Sequence, residues 1–555
     1  MEKMQSIIEK LFPEKLPSPE ELAERYPQRK IKEGAMVTRV APSPTGFVHI
    51  GGLYASLISE RLARQSQGIF ILRIEDTDKK REVAGSANLF AAALSRYELK
   101  ADEGPDENGQ ESGDYGPYTQ SARAHIYRSY IKDLLSKGLA YPCFAAEEEL
   151  EALRARQEAA GERSGYWGRF ALWRGKSPEE ITDALDRGLK PVIRLKSPGN
   201  FQNKIIINDL LLGRREMPEN DQDIVIMKSD GLPTYHFAHA VDDHLMGTSH
   251  VIRGNEWFPS LPLHLQLFQI LGWQAPAYAH LAPIQKLDEG KKRKLSKRKD
   301  QEANLEYYYA AGYPEEAVIE YLLNLANSNF EDWRKANPEA SSKEFTITWK
   351  KLANSNGPLF DAAKLEDIGK NIVSRLDAKT VYTRSLAWAQ KYDQELADLL
   401  INNPEYSQKI LNIEREGEAQ PRKDIGRWSD VKEEIIYFFD DKFRLEAQAL
   451  AMIKQETGDI GIAAFIEDFL ASYDIADNPE TWFEKLKNIG GKYGFAGNMK
   501  DYKAEPEKYK GQIGALAKLL RFLLTGRTRT PNLCLIMQVM GAERAAARLR
   551  SLWPQ

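Results

Sequence analysis

Between Met36 and Asp78 the chain reads strand, loop, helix, strand, and that order leaves few folds open. Met36–Ala41 has the apolar and β-branched content of a strand. Pro42-Ser43-Pro44-Thr45-Gly46 breaks it, and Gly51–Gln65 restarts as an amphipathic helix. Ile69–Ile74 is a second strand, running into Glu75-Asp76-Thr77-Asp78. Two strands joined by one helix lie parallel, and the helix must cover a face of the sheet. The expectation is an α/β fold whose ligands gather beyond the carboxyl ends of the strands. Both the loop after Ala41 and the acidic run at Glu75 fall there.

At 555 residues the chain exceeds what one core organises, so three to five domains are expected. A formal net charge of −4 argues against bulk coating of nucleic acid, while leaving room for a local basic surface. The two cysteines, Cys143 and Cys534, are far apart, with no Cys-x-x-Cys metal spacing. No apolar run reaches membrane-spanning length, and Met1–Lys10 lacks the apolar stretch of a secretory signal. These features predict a soluble, cytoplasmic, multi-domain enzyme.

Two segments carry the chemistry. The first is Arg39-Val40-Ala41-Pro42-Ser43-Pro44-Thr45-Gly46-Phe47-Val48-His49-Ile50-Gly51-Gly52. A histidine at a helix start sits at the positive end of the dipole, where phosphate is favoured. Gly51, without a Cβ, lets a flat base lie against the backbone. Alone, such a histidine is as readily a cap or a surface residue. The second is Lys291-Lys292-Arg293-Lys294-Leu295-Ser296-Lys297-Arg298-Lys299, seven cations in nine residues. Alone, that run reads as a solvated face or a non-specific nucleic-acid patch.

Together, Ala-Pro-Ser-Pro-Thr-Gly-x-x-His-x-Gly and Lys294-Leu295-Ser296-Lys297-Arg298 resemble the two ATP motifs of class I aminoacyl-tRNA synthetases, the bacterial-type glutamyl branch in particular. Gly52 stands where the motif has a second histidine, as is common in that branch. The resemblance implies a Rossmann-type catalytic domain with an inserted acceptor-binding domain, followed by an all-helical anticodon-binding region. It implies ATP and Mg²⁺ as cofactors, with no zinc: Cys143 stands without further ligands beside Phe144, Trp167 and Phe170. His49 and Lys297 take the catalytic positions. An ammonium on a closing loop stabilises the charge that builds on the α-phosphate as the adenylate forms. ATP contacts are expected from His49, Gly51, Glu256, Trp257, Ile284, Lys294, Leu295, Ser296, Lys297 and Arg298. Glutamate contacts are expected from Arg39, Ala41, Ser43, Glu75, Tyr235, His239 and Arg253. Arg39 and Arg253 would read the side-chain carboxylate, which offers a bidentate, charge-assisted pair where glutamine offers only an amide. Glu75 suits the substrate ammonium. His239 departs from the asparagine often found at that position. Without the resemblance, an arginine at a strand end is more often an ion-pair partner. His239, Asp242, Asp243, His244 and His250 include residue types that ligate metals, but no regular spacing brings them all to one face, so no metal site is expected.

The same resemblance divides the chain into an extension (1–35), a first catalytic half (36–114), an insertion (115–232), a second half (233–291), a stem-contact domain (292–376) and an all-helical anticodon domain (377–555). The sheet is expected to resume at Thr234 and continue through His250–Arg253, followed by a basic loop over 286–300. Helical apolar spacing recurs in Val431–Ile453, Ala463–Leu470 and Ile513–Leu524. Between two of the C-terminal helices, Gly526–Leu533 is a plain turn by its residues alone. By resemblance it places Arg527, Thr530, Pro531 and Leu533 against anticodon bases, which are readable because they splay and stack. The implied partners are L-glutamate and tRNA-Glu, with tRNA-Gln as a further acceptor in a non-discriminating enzyme. An inactive tRNA-binding paralogue and, more distantly, a metal-dependent phosphohydrolase are the alternatives. A monomer away from membranes is the family default.

Overall fold

The computed structural model describes residues 2–83, 85–352, 357–445 and 460–551. These fall into two units. The first comprises Met1–Tyr307 with Ile319–Asp361, and the second Tyr308–Val318 with Ala362–Gln555.

The first unit opens with α1 (Glu2–Leu11) and α2 (Pro19–Arg25), then β1 (Val37–Val40), α3 (Ile50–Gln65) and β2 (Ile69–Leu72). The Ser18 hydroxyl accepts from the Glu21 amide at 3.2 Å, and the Glu21 carboxylate accepts from the Ser18 amide at 2.7 Å, a closed capping box that starts α2. The extension is not an appended arm. Ile8, Phe12, Leu22 and Tyr26 join Ile126, Tyr127 and Phe237 in one core. Gly68 closes the α3–β2 turn because a Cβ there would meet the Met36 carbonyl oxygen at 2.0 Å.

Next come α4 (Ser86–Arg96), the short hairpin β3 (Gly104–Pro105) and β4 (Glu111–Ser112), and α5 (Ala124–Ser136). The insertion continues as β5 (Ala140–Cys143), α6 (Glu147–Ala159), α7 (Pro178–Asp186), β6 (Val192–Leu195), β7 (Lys204–Asp209), β8 (Gly213–Pro218) and β9 (Val225–Met227). Then follow α8 (Tyr235–Leu245), β10 (His250–Gly254), α9 (Leu261–Leu271), β11 (Ala277–Leu281), and a hairpin of β12 (Gln285–Asp288) and β13 (Lys291–Lys294).

The central sheet has the order β11-β10-β1-β2, every pair parallel. Its strands are largely buried, as a sheet covered on both sides requires; all four β1 residues are buried, the polar Thr38 and Arg39 included. The chain leaves β1 toward β2 on one side and later returns as β10 on the other. The crevice between the carboxyl ends of β1 and β10 is therefore the topological switch point, where such sheets bind ligands.

Two sequence expectations need correction. The sheet does not resume at Thr234: Thr234 is the residue before α8, and the sheet resumes only at His250. Phe237, Ala238, Ala240, Val241 and Leu245 are buried, a helical spacing hidden within a run of alternating rings. Nor is 286–300 all loop. Glu289 and Gly290 both have positive φ (48° and 79°), the conformation of a two-residue hairpin turn, and they fold the first four cations into β13.

In the second unit, helices Ala362–Ser374, Ala378–Tyr392, Gln394–Asn402, Pro404–Leu411, Ile462–Ser472, Pro479–Lys492, Ile513–Thr525, Leu533–Met540 and Ala542–Ser551 surround one apolar core. The helical periods at 463–470 and 513–524 lie within these helices. The period at 431–453 is realised as Asp430–Ile435 and a 3₁₀ turn at Ile436–Phe438, and its end lies outside the described residues. No helix among the described residues is long and apolar enough to cross a membrane.

Candidate active site

A cavity of about 1290 Å³ opens at the switch point. Its walls are the β1–α3 loop, the ends of β2 and β10, the start of α8, and the segment after β13. Of the residues expected from sequence, Arg39, Ala41, Ser43, His49, Gly51, Glu75, Tyr235, Arg253, Glu256, Trp257, Ile284, Lys294, Leu295, Ser296 and Lys297 all line it.

His49 is the N-cap of α3, and its Nδ1 accepts from the Gly51 amide at 2.9 Å. That bond requires an unprotonated Nδ1, so the ring's hydrogen sits on Nε2. Burial, then the ammonium groups of Lys297 and Lys294, push the His49 pKa down to about 4. At neutral pH it is thus an uncharged donor beside the helix start. A Cβ on residue 51 would lie 3.0 Å from His49 Nδ1, so Gly51 also leaves the imidazole its place.

The segment carrying Lys297 is tied at both ends. The Leu295 amide donates to the Ile284 carbonyl at 2.9 Å, and the Leu295 side chain is buried. Arg293 grips Asp300 with both terminal nitrogens (2.6 and 2.8 Å), and Asp300 accepts from the Ser296 amide at 2.8 Å. Lys297 consequently lies over the Phe47 ring, 5.0 Å from its centroid, with Nζ 3.4 Å from the Phe47 carbonyl. This places the second basic motif against the loop of the first. Lys294 pairs with Glu256 at 3.3 Å. Arg298 is exposed and lies outside the cavity lining.

The deep end holds the arginines. Arg39 donates to Asp243 at 3.2 Å, and the same carboxylate oxygen accepts from Arg73 at 2.7 Å. Arg73 also reaches Glu75 at 3.1 Å. Burial raises the Glu75 pKa against the pull of Arg73 and Arg39. Arg253 is held by two imidazoles, and its Nη1 is buried without a hydrogen-bond partner among the described residues. Tyr235 rests on Trp257, ring centroids 4.4 Å apart.

His239 does not reach the cavity. It is fully buried and stacks beneath Tyr235, centroids 5.4 Å apart, while its Nδ1 faces the His236 carbonyl at 3.0 Å. The rest of the His/Asp run disperses. Asp242 accepts from Gln120, Arg123 and Tyr127, His244 stacks on Trp273, and His250 faces Ser249. Among the described residues, no three His, Cys, Asp or Glu side chains converge as metal ligands.

Arg73, His264 and His280 complete the site and are absent from the sequence expectation, and Asp243, weighed there only as a metal ligand, joins them. The signals were faint: one arginine inside the apolar run Ile69–Ile74, and single histidines in an apolar helix and an apolar strand.

In the second unit, Gly526–Leu533 links the helices Ile513–Thr525 and Leu533–Met540. Arg527 is neutralised by Glu434 at 2.7 Å, and Arg521 holds the Thr530 and Pro531 carbonyls. Pro531 and Leu533 are buried, so the expectation that they meet bases is not met by their placement. Thr528 and Arg529 form the exposed tip instead.

Residues 35–366 match the family described as tRNA synthetases class I (E and Q), catalytic domain, and residues 396–552 match an anticodon binding domain. A glutamate–tRNA ligase of Clostridium perfringens (strain 13 / Type A) is 47% identical over 97% of this chain and 98% of its own. The chain belongs to the glutamate–tRNA ligase family. A more distant glutamate–tRNA ligase, from Thermus thermophilus, is 35% identical over 93% of this chain and 99% of its own. Among solved structures, a glutamate tRNA ligase of Elizabethkingia meningosepticum crystallised with its amino acid superposes with TM-score 0.73 at 27% identity. It covers 93% of this chain and 98% of that one. The family's class I catalytic domain thus coincides with the unit that holds the cavity.

Proposed function

We propose that the cavity activates L-glutamate with ATP and passes the glutamyl group to the 3′ end of tRNA-Glu. The observation that carries this reading is the deep pair of arginines, Arg39 and Arg253, at the wall of a cavity whose outer part is basic. A cavity-lining guanidinium whose buried Nη1 lacks an acceptor among the described residues favours a carboxylate, which offers a charge-assisted bidentate pair, over a neutral amide. Glu75, hydrogen-bonded to Arg73 at 3.1 Å and lining the cavity, receives the substrate ammonium. The glutamate α-carboxylate attacks the α-phosphorus of ATP, the P–O bond to pyrophosphate breaks, and glutamyl-adenylate remains. His49 Nε2–H and the Lys297 ammonium face the phosphates. Removing one such preorganised donor typically costs about 10²–10³ in rate. Mg²⁺ is carried in by the nucleotide's own phosphate oxygens and water. The insertion takes the acceptor end, and the helical C-terminal unit reads the anticodon through the exposed tip at Thr528 and Arg529.

Charging of tRNA-Glu and tRNA-Gln transcripts with labelled glutamate, beside a Lys297→Ala control, tests this. Charging of tRNA-Glu alone marks a discriminating ligase, and charging of both marks a non-discriminating one. Charging of neither, with both bound, overturns the proposal in favour of a tRNA-binding paralogue.

A further inference from the structure

The Arg253 guanidinium does not rest on a carboxylate. Its Nε donates to His280 Nε2 at 3.0 Å, and its Nη2 contacts His264 Nδ1 at 3.1 Å. A guanidinium only donates, so both ring nitrogens must be bare acceptors. The hydrogens then sit on His280 Nδ1 and His264 Nε2. His280 Nδ1 lies 2.6 Å from Asp209 Oδ2, and His264 Nε2 lies 2.9 Å from His236 Nδ1. One set of tautomers satisfies all four contacts at once. Asp209 is itself pinned, its Oδ1 accepting from the amides of Leu211 and Leu212 at 2.9 and 2.8 Å. His264 and His280 are both essentially without solvent exposure, and burial holds both rings below the ordinary imidazole range, preserving the acceptor forms.

The two imidazoles occupy the Nε/Nη2 edge of the guanidinium. The Nη1/Nη2 end is left for a bidentate acceptor, and Nη1 is a buried atom without a hydrogen-bond partner among the described residues. We infer that His264 and His280 are positioning residues for substrate recognition: they fix the rotation of Arg253 so that its open fork meets the glutamate side-chain carboxylate. This rests on the reading of Arg253 as a carboxylate ligand. The relay extends that pocket into two further elements. Asp209 on β7 sets one imidazole, and His236, next to Tyr235 on α8, sets the other.

The arrangement makes a crossed test possible, because asparagine carries its amide oxygen near the Nδ1 position and glutamine carries it near Nε2. Glutamate KM is measured by aminoacylation of tRNA-Glu with the full chain, together with ATP KM, kcat and melting temperature. His264→Asn and His280→Gln, which keep an acceptor facing Arg253, are expected within about threefold of the parent KM. His264→Gln and His280→Asn are expected to raise it about tenfold or more, the loss of one charge-assisted hydrogen bond. Within each pair, ATP KM and kcat stay matched. Equal KM values in Asn and Gln variants at both sites, with Arg253→Lys still raising KM, overturn the relay and leave Arg253 in place. An unchanged KM in Arg253→Lys overturns the underlying reading as well. If the variants do not fold, ¹⁵N-histidine resonances of the parent chain decide. Bare His264 Nδ1 and His280 Nε2 support the relay, and a proton on either nitrogen overturns it.

Discussion

Asp243→Asn isolates the charge that organises the other arginine. Asp243 is fully buried, as is Arg73, and Arg39 is nearly so. One oxygen of Asp243 accepts from both guanidinium groups, at 3.2 and 2.7 Å. Asparagine keeps the shape and one neutral acceptor, but removes the anion between two cations. Each hydrogen bond to a charged group contributes roughly 1.5–3 kcal/mol, and part of each survives in the amide. We expect a stability loss of about 3 kcal/mol, at the low end of the roughly 3–5 kcal/mol of stripping a buried pair outright. Arg39 is then drawn toward Glu75, whose charge already acts on it, and both leave the geometry the substrate needs. The expected fall in kcat/KM for glutamate is about 10- to 150-fold, the same 1.5–3 kcal/mol read as a rate ratio. Tyr235 and the ATP half keep their contacts, so ATP KM stays within about twofold. Aminoacylation under varied glutamate measures the first quantity, and thermal unfolding the second. Asp242→Asn is the graded comparison: it holds Gln120, Arg123 and Tyr127 by hydrogen bonds but lies 3.7 Å from Arg73 Nε, so it should lower stability and move glutamate KM less than Asp243→Asn does. Equal glutamate kinetics in Asp243→Asn and the parent would refute the argument that Asp243 aims Arg39.

All eight histidines have pKa values lowered, in each case first by burial. A base whose folded pKa is depressed contributes stability that is full above its unfolded value of 6.5 and lost as pH falls. For His49, near 4, the loss between pH 6.5 and 4 is about 3 kcal/mol, and the more exposed His244 contributes less because solvent screens it. Calorimetry should therefore show a melting temperature that drops steeply from pH 7 to 5, with net proton uptake on unfolding; a flat profile would contradict the burial of these rings. Arg293→Ala should release Asp300 and loosen the segment bearing Lys297. It should lower kcat about tenfold while leaving glutamate KM unchanged, as measured by steady-state aminoacylation.

The β1–α3–β2 start was legible because its periods change from 2 to 3.6 and back within a few residues, and the punctuation at Pro42–Gly46 and Gly68 is unambiguous. The motif residues along it, from Arg39 to Gly51, reach the cavity because a loop after a parallel strand has only one end of the sheet to occupy. The sheet was expected to resume at Thr234, where the chain instead enters a helix over Tyr235–Leu245. The burial that makes them a helix comes from Phe268 and from Ile126 and Tyr127, more than twenty and a hundred residues away. The contacts that complete the site are longer still. Arg73 and Asp243 are 170 residues apart, and His280 and Asp209 are 71 apart. Local pattern carries no trace of such pairs. The same holds at Leu533: its motif position suggested a base contact, but the second unit's core claims the side chain.

The two arginines proposed to read the substrate carboxylate are neutralised differently, and the difference assigns them unequal parts. Arg39 shares Asp243 with Arg73 and lies within the field of Glu75, so an arriving anion must compete with charges already present. Arg253 is satisfied along one edge by imidazoles, which accept hydrogen bonds without cancelling its charge. In a buried site, a full positive charge whose fixed partners are neutral is stabilised most by an incoming carboxylate and least by an amide. On the proposed reading of the pocket, selection of glutamate over glutamine rests chiefly on Arg253. Arg39 and Asp243 set the shape of the pocket floor against which that selection is made. Placing a carboxylate beside Arg253 in place of either histidine would weaken the discrimination, because the protein would then supply the anion that the substrate is meant to bring.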